Sequence, residues 1–173
     1  MEPSGPPTEP PLTNDFGIDS ARFRTVLGHF ATGVTIVTGH GPDGPSGLAA
    51  NSFTSVSLDP PLVLVCLANT STTWPAIRES GHFAVNILGE HQEDTSRRFG
   101  TRSGDRFEGV GWAPGKTGSP ILRDAIAYVD CVLDAEYEGG DHMIVVGRVV
   151  DLGQPAEGGP LLFWRGGYAR LGP

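Results

Sequence analysis

Apolar positions along the chain fall into short runs broken by glycine, proline and small polar residues. From Asp19 to His29, Phe23, Val26 and Leu27, continued by Phe30, return at helical spacing; Asp19 or Ser20 can cap the segment and Gly33 ends it. Val34 to Thr38 reads VTIVT, β-branched throughout, and predicts a strand. Gly39 to Gly47 holds four glycines and two prolines and predicts a loop. Leu48 to Leu58 (LAANSFTSVSL) sets Phe53 and Val56 among small polar residues and stops at Asp59-Pro60-Pro61. Leu62 to Leu67 (LVLVCL) is apolar without a break, as in a strand buried on both faces. Thr73 to Ser80 and Gln92 to Phe99 predict two short helices, the first with Pro75 in its opening turn. His82 to Leu88, Ala125 to Tyr137 and Met143 to Val150 predict strands, with Val129, Cys131 and Leu133 on one phase. Gly100 to Ser119 is glycine-rich, anchored by Phe107, Val110 and Trp112. Leu161 to Trp164 and Tyr168 to Arg170 close the chain around Gly166-Gly167. Phe30, Val37 and Cys131 are expected in the core.

Six to eight strands with three short helices most simply close into a barrel, which removes exposed edges; a sandwich is the rival architecture. Composition agrees, because 25 glycines and 15 prolines in 173 residues leave little room for long helices. The lack of strand–helix alternation argues against a doubly wound sheet. Net charge is -8 and Lys116 is the only lysine, so no basic footprint for nucleic acid exists. No apolar run is long enough for a membrane span, and the first residues lack a leader pattern, so the cytoplasm is the expected compartment. Cys66 and Cys131 do not make a disulfide framework. Residues 1–15 are expected to form a flexible proline-rich arm ahead of one domain over 16–173. Heavy use of glycine, proline and arginine suggests a GC-rich bacterial genome.

The chain lacks GxSxG, HExxH, CxxC, GxxxxGK[ST] and a strand-borne GxGxxG. None of the five histidines pairs with another at ligand spacing, so no metal site is expected. Two hydroxyl clusters stand out. Asn51-Ser52-Phe53-Thr54-Ser55 is either a ligand wall or a polar strand face. Asn69-Thr70-Ser71-Thr72-Thr73 leads into a predicted helix, as an anion cradle or as ordinary capping residues. Gly140-Asp141-His142 puts a histidine at a strand mouth, either for chemistry or as a plain turn.

Seven segments together carry a resemblance. They are FRTVLGHFATGVTIVT (Phe23 to Thr38), GLAANSFTSVSLDPPLVLVCL (Gly47 to Leu67), FAVNIL (Phe83 to Leu88), RFEGVGW (Arg106 to Trp112), GSPILRDA (Gly118 to Ala125), GDHMIVVGRVVDL (Gly140 to Leu152) and PLLFWRGGYARL (Pro160 to Leu171). In order and spacing they resemble the flavin reductase-like family, whose fold is the FMN-binding split barrel. The resemblance implies a mainly β split barrel with short flanking helices. It implies an NAD(P)H-dependent flavin reductase that takes FAD or FMN and delivers reduced flavin to a partner monooxygenase or halogenase. It also implies a homodimer. NADH is expected ahead of NADPH, since no arginine cluster awaits a 2′-phosphate. The alternative is a non-catalytic flavin- or haem-binding protein on the same barrel.

Site roles follow from the same resemblance. Leu48, Ala49 and Ala50 would run beside the isoalloxazine. Asn51 and Ser52 would bond its polar edge or the ribityl chain, with Phe53 and Thr54 in the same wall. Cys66, Leu67 and Ala68 would form a neighbouring strand edge. Ser71 and Thr73 would hold the flavin phosphate. Phe99 would cover the adenine side or the nicotinamide, and Tyr168 would line the opening. His142 is the implied catalytic residue, near flavin and nicotinamide. Relatives often carry arginine or lysine near Asn69 or Thr70; here Arg97, Arg98 or a partner subunit is expected to supply that charge.

Overall fold

Asp19 starts the first helix, α1 (Ser20–Leu27), by accepting from the backbone N–H groups of Arg22 and Ala21 at 3.1 and 3.3 Å. Those bonds hold its carboxyl below the ordinary range. The computed structural model describes residues 16–101 and 104–172, and the arm expected over 1–15 lies outside the described residues. After β1 (Thr32–Gly33) come β2 (Thr35–Gly41), β3 (Gly44–Ala50), β4 (Thr54–Leu58) and β5 (Pro61–Ala68). Next are α2 (Trp74–Arg78), β6 (His82–Ile87), α3 (Glu93–Gly100), β7 (Trp112–Pro114) and β8 (Pro120–Leu122). The two longest strands, β9 (Ala127–Gly139) and β10 (His142–Gly153), precede a terminal hairpin of β11 (Leu162–Trp164) and β12 (Gly167–Ala169).

Seven strands form one antiparallel sheet in the order β3-β2-β6-β9-β10-β5-β4. The sheet curls until its two ends approach. Ser52, on the link between β3 and β4, accepts from the backbone N–H of Cys66 on β5 at 3.0 Å and donates to that residue's carbonyl at 2.8 Å. A hydroxyl thus staples the seam where ladder pairing stops at Ala50 and resumes at Thr54. The expected barrel is therefore present, split along one line.

Inside the barrel, Val37, Val65, Leu67, Phe83, Val85, Cys131 and Val145 form one core, plugged at an end by Trp74 and Ile77 of α2. A second core, with Val34, Ile36, Leu88, Phe99, Leu122 and Leu161, lies on the outer side of β2 under α3 and the two small hairpins. Asn86 pins one hairpin there: its Nδ2 donates to Thr38 Oγ1 at 3.0 Å and its Oδ1 accepts from Leu122 N–H at 2.8 Å.

Three expectations change. The strands buried on both faces are β2 and β6, not LVLVCL; along β5 fully buried and half-buried residues alternate. The loop expected over Gly39–Gly47 is a tight hairpin, with Gly41 paired to Gly44 across Pro42-Asp43. Its glycines serve packing: a Cβ on Gly47 would stand 2.7 Å from the Phe99 ring. Finally, Phe30 is not core but 75% exposed, and no residue of α1 is buried. The helical stripe exists, but nothing among the described residues covers it.

Candidate active site

The trough lies along β3. Two adjoining cavities of about 170 Å³ each meet at Ala49. One is bounded by Leu48, Ala49, Ala68, the 70–73 hydroxyls, Phe99, Gly100, Thr101 and Arg106. The other is bounded by Val34, Ala49, Ala50, Asn51, Ser96, Phe163 and Tyr168. Small side chains on β3 make the floor flat because a larger Cβ branch at Ala49 or Ala50 would fill it.

The first cavity is polar at its rim. Ser71 Oγ accepts from the N–H groups of Trp74 and Thr73 at 3.2 and 3.3 Å. Thr73 Oγ1 accepts from Arg106 at 2.8 Å. Both hydroxyls act as acceptors toward the protein and so keep their protons for a ligand. The Arg106 guanidinium also donates to the carbonyl of Gly47 at 2.6 Å and to that of Thr101. Burial lowers its pKa, and among the described residues it has no carboxylate partner. A partly desolvated cation flanked by hydroxyl protons is a site for an anion. Sequence reading missed Arg106 here. The expected substitutes are committed elsewhere: Arg97 bonds Glu93 at 2.7 Å and lies over Tyr168, and Arg98 donates to the Glu108 carbonyl.

His142 stands directly across from Ala68 in the β10–β5 ladder, so the two share a sheet face; Ala68 lines the cavity and His142 is its cross-strand neighbour, outside the lining. Its Nδ1 lies 2.7 Å from Asp141 Oδ1, and that hydrogen bond holds the Asp141 carboxyl below its usual value. Asn69 ties the turn down, with its N–H on the Asp141 carbonyl and its Nδ2 on the Gly140 carbonyl, both at 3.0 Å.

The second cavity is mostly apolar. Tyr168 bonds Ser96 through its hydroxyl at 2.8 Å and meets Phe163 edge to face. Leu48, Ala49, Ala50, Asn51, Ala68, Ser71, Thr73, Phe99 and Tyr168 therefore line two cavities that share Ala49. Phe53 packs toward the barrel core and Thr54 is exposed on β4.

Other expected contacts do not form as read. Leu67 points into the barrel core, 2% exposed, because strand alternation turns it away from Ala68. Phe99 is 1% exposed; it packs beneath Gly47, edge to face with Phe107, and lines the first cavity as part of its floor. Ser52 spends its hydroxyl proton on the Cys66 carbonyl, which leaves its backbone N–H as the donor for a ligand. Cys66 is half-buried opposite Ile144, on the other strand face from Leu67.

A trough with a cationic, hydroxyl-lined end, a flat floor of small residues and a histidine one strand over from its lining fits a phosphorylated planar cofactor. The comparisons agree: the flavin reductase like domain matches residues 27–172. The chain belongs to this family of flavin reductases. Its activity is the family's, hydride transfer from NAD(P)H to flavin. The flavin-dependent monooxygenase reductase subunit HsaB of Rhodococcus jostii is 49% identical over 156 residues, covering 90% of this chain and 80% of that protein. The structure of BorF, the flavin reductase component of a bacterial two-component tryptophan halogenase, superimposes with a TM-score of 0.82 at 39% identity, covering 88% of this chain and 98% of that one. An NADH:FAD oxidoreductase of Streptomyces globisporus, solved with NAD and FAD fragments, gives a TM-score of 0.81 at 40% identity, covering 90% and 94%. Among the described residues, no helix is long and apolar enough to cross a membrane.

Proposed function

We propose that the β3 trough takes FAD or FMN with its phosphate on Arg106, Ser71 and Thr73, that NADH is the hydride donor, and that the reduced flavin leaves for a monooxygenase or halogenase. The carrying observation is Arg106, a half-buried cation with no carboxylate partner among the described residues, bonded to Thr73 and sharing one cavity lining with Ser71. When bound, the flavin supplies the hydride-accepting ring. The chain's part is placement. Ala49 and Ala50 leave room for a plane, and the Asn51–Phe53 link offers backbone donors to its polar edge. Tyr168 closes the apolar end, and His142, steadied by Asp141, orients the nicotinamide. No nucleophile is required.

Flavin-dependent NADH oxidation followed at 340 nm tests this reading, with fluorescence titration of FMN and of phosphate-free riboflavin beside it. Arg106→Met is expected to weaken FMN binding by about 10- to 100-fold, the worth of a charge-assisted hydrogen bond, and to leave riboflavin nearly unchanged. His142→Ala is expected to lower turnover more than thermal stability. Absence of turnover with either flavin would instead favour a binding protein without catalysis.

A homodimer fits the uncovered face around α1, where Phe16, Phe23, Val26, Leu27 and Phe30 are all more than half exposed. Single chains rarely leave such a patch open to water. Sedimentation is expected to give a dimer that Val26→Asp splits; an unchanged mass would remove α1 from the interface.

A further inference from the structure

We propose that Glu136, on β9, is a positioning residue for the anion-holding end of the trough. The inference rests on the reading that Arg106, Ser71 and Thr73 hold the flavin phosphate. Nothing in that reading uses Glu136, which is not among the residues lining either cavity.

α2 has five residues and no side-chain cap from Thr73. A helix this short does not hold its own place; its neighbours do. Ile77 anchors its middle in the barrel core. Glu136 grips both ends. Its Oε1 accepts from the indole N–H of Trp74, the first residue of α2, at 2.9 Å. Its Oε2 lies 2.6 Å from Nε of Arg78, the last residue. The carboxylate is only 12% exposed, so its two oxygens are largely spent on these donors.

The path to the ligand is short. Trp74 is buried, edge to face with Phe83 at 5.7 Å between centroids, so the indole has one seat. Thr73 precedes it in the chain, and its hydroxyl accepts from Arg106. Ser71 caps the same turn through the Trp74 and Thr73 N–H groups. If the indole shifts, Thr73 and the Ser71 turn shift with it, and Arg106 loses its hydroxyl partner. Only a two-oxygen acceptor can bind both donors, so glutamine would put an NH2 against one of them.

Fluorescence titration of FMN and riboflavin, with thermal unfolding alongside, separates positioning from mere stabilisation. Glu136→Gln is expected to weaken FMN about fivefold, the scale of one hydrogen bond, while riboflavin changes less than about twofold. Trp74→Phe keeps the ring packing and removes the N–H, and is expected to do the same. The double variant should lose no more than the larger single effect, because both act through one contact. Equal weakening of FMN and riboflavin, or a lower melting temperature with FMN binding intact, would overturn the proposal. If Arg106→Met discriminates between the two flavins and Glu136→Gln does not, the phosphate reading stands and Glu136 falls. If neither discriminates, both fall together.

Discussion

The two sides of the barrel are built differently. On the closed wall, β6, β9 and β10 pair along their lengths, and Phe83, Cys131 and Gly147 interlock behind them. A Cβ on Gly147 would stand 2.5 Å from the Phe83 ring, so that wall has no slack. On the seam, the ladder lapses between Ala50 and Thr54, and the Ser52 hydroxyl does the joining through two bonds to Cys66. The trough runs beside the seam, at Ala49, Ala50 and Asn51. A closed wall has its backbone groups committed to neighbours; a seam has some to offer a ligand. Stability and binding are thus assigned to opposite sides of one sheet.

The largest expected effect breaks the closed wall. Phe83 is fully buried and meets Trp74 as well as Gly147. Phe83→Ala is expected to cost about 3–5 kcal/mol, from lost burial plus a cavity. Urea unfolding measures it. A loss below about 1 kcal/mol would mean that the wall collapses readily to fill the gap, and the contrast with the seam would vanish.

Ser52→Ala is the corresponding cut at the seam. It strands a backbone N–H and a carbonyl of Cys66, for about 1–3 kcal/mol by the same measurement. Its effect on binding should differ in kind from that of Arg106→Met. FMN and riboflavin are expected to weaken alike, because in the proposed placement the seam would face the shared ring and not the phosphate. Unchanged affinity for both would make the staple purely structural.

The sequence made the elements legible because they are local. Asp19 capped a helix as read, and Val129, Cys131 and Leu133 fell on one phase of β9 as read. The hydroxyls of Ser71 and Thr73 were legible as a cluster before α2, open between an anion cradle and ordinary caps; the structure puts both in the cavity lining, with Ser71 also capping the turn. Arg106 was not, since its partners Gly47 and Thr73 are 59 and 33 residues away and only the fold joins them. RFEGVGW carried it as part of the resemblance, without a role. Glu136 reads as one acid among the charged residues of a long strand; its distance of 62 residues from Trp74 hides the contact. Phe30 misled because an apolar stripe states that a face will be covered, not by what. Leu67 was near the right segment, but strand alternation turned it into the barrel core, while Phe99 reaches the cavity only as buried floor under Gly47.

The smallest effect compares the two cysteines, one on each side. Cys131 is wholly buried in the closed wall, and burial pushes its thiol up to about 12. At about pH 8 its reactive thiolate is then on the order of one part in ten thousand, even before access is considered. Cys66 is half-buried on the outer face of β5, at the seam. Iodoacetamide at that pH is expected to add one group per native chain, at Cys66, and two in urea, as read by mass spectrometry. Ser52→Ala should raise the Cys66 rate by freeing its backbone and leave Cys131 unlabelled. Native labelling of Cys131 at a similar rate would show the wall opening as readily as the seam. The division of labour between the two sides would then have no basis in local stability.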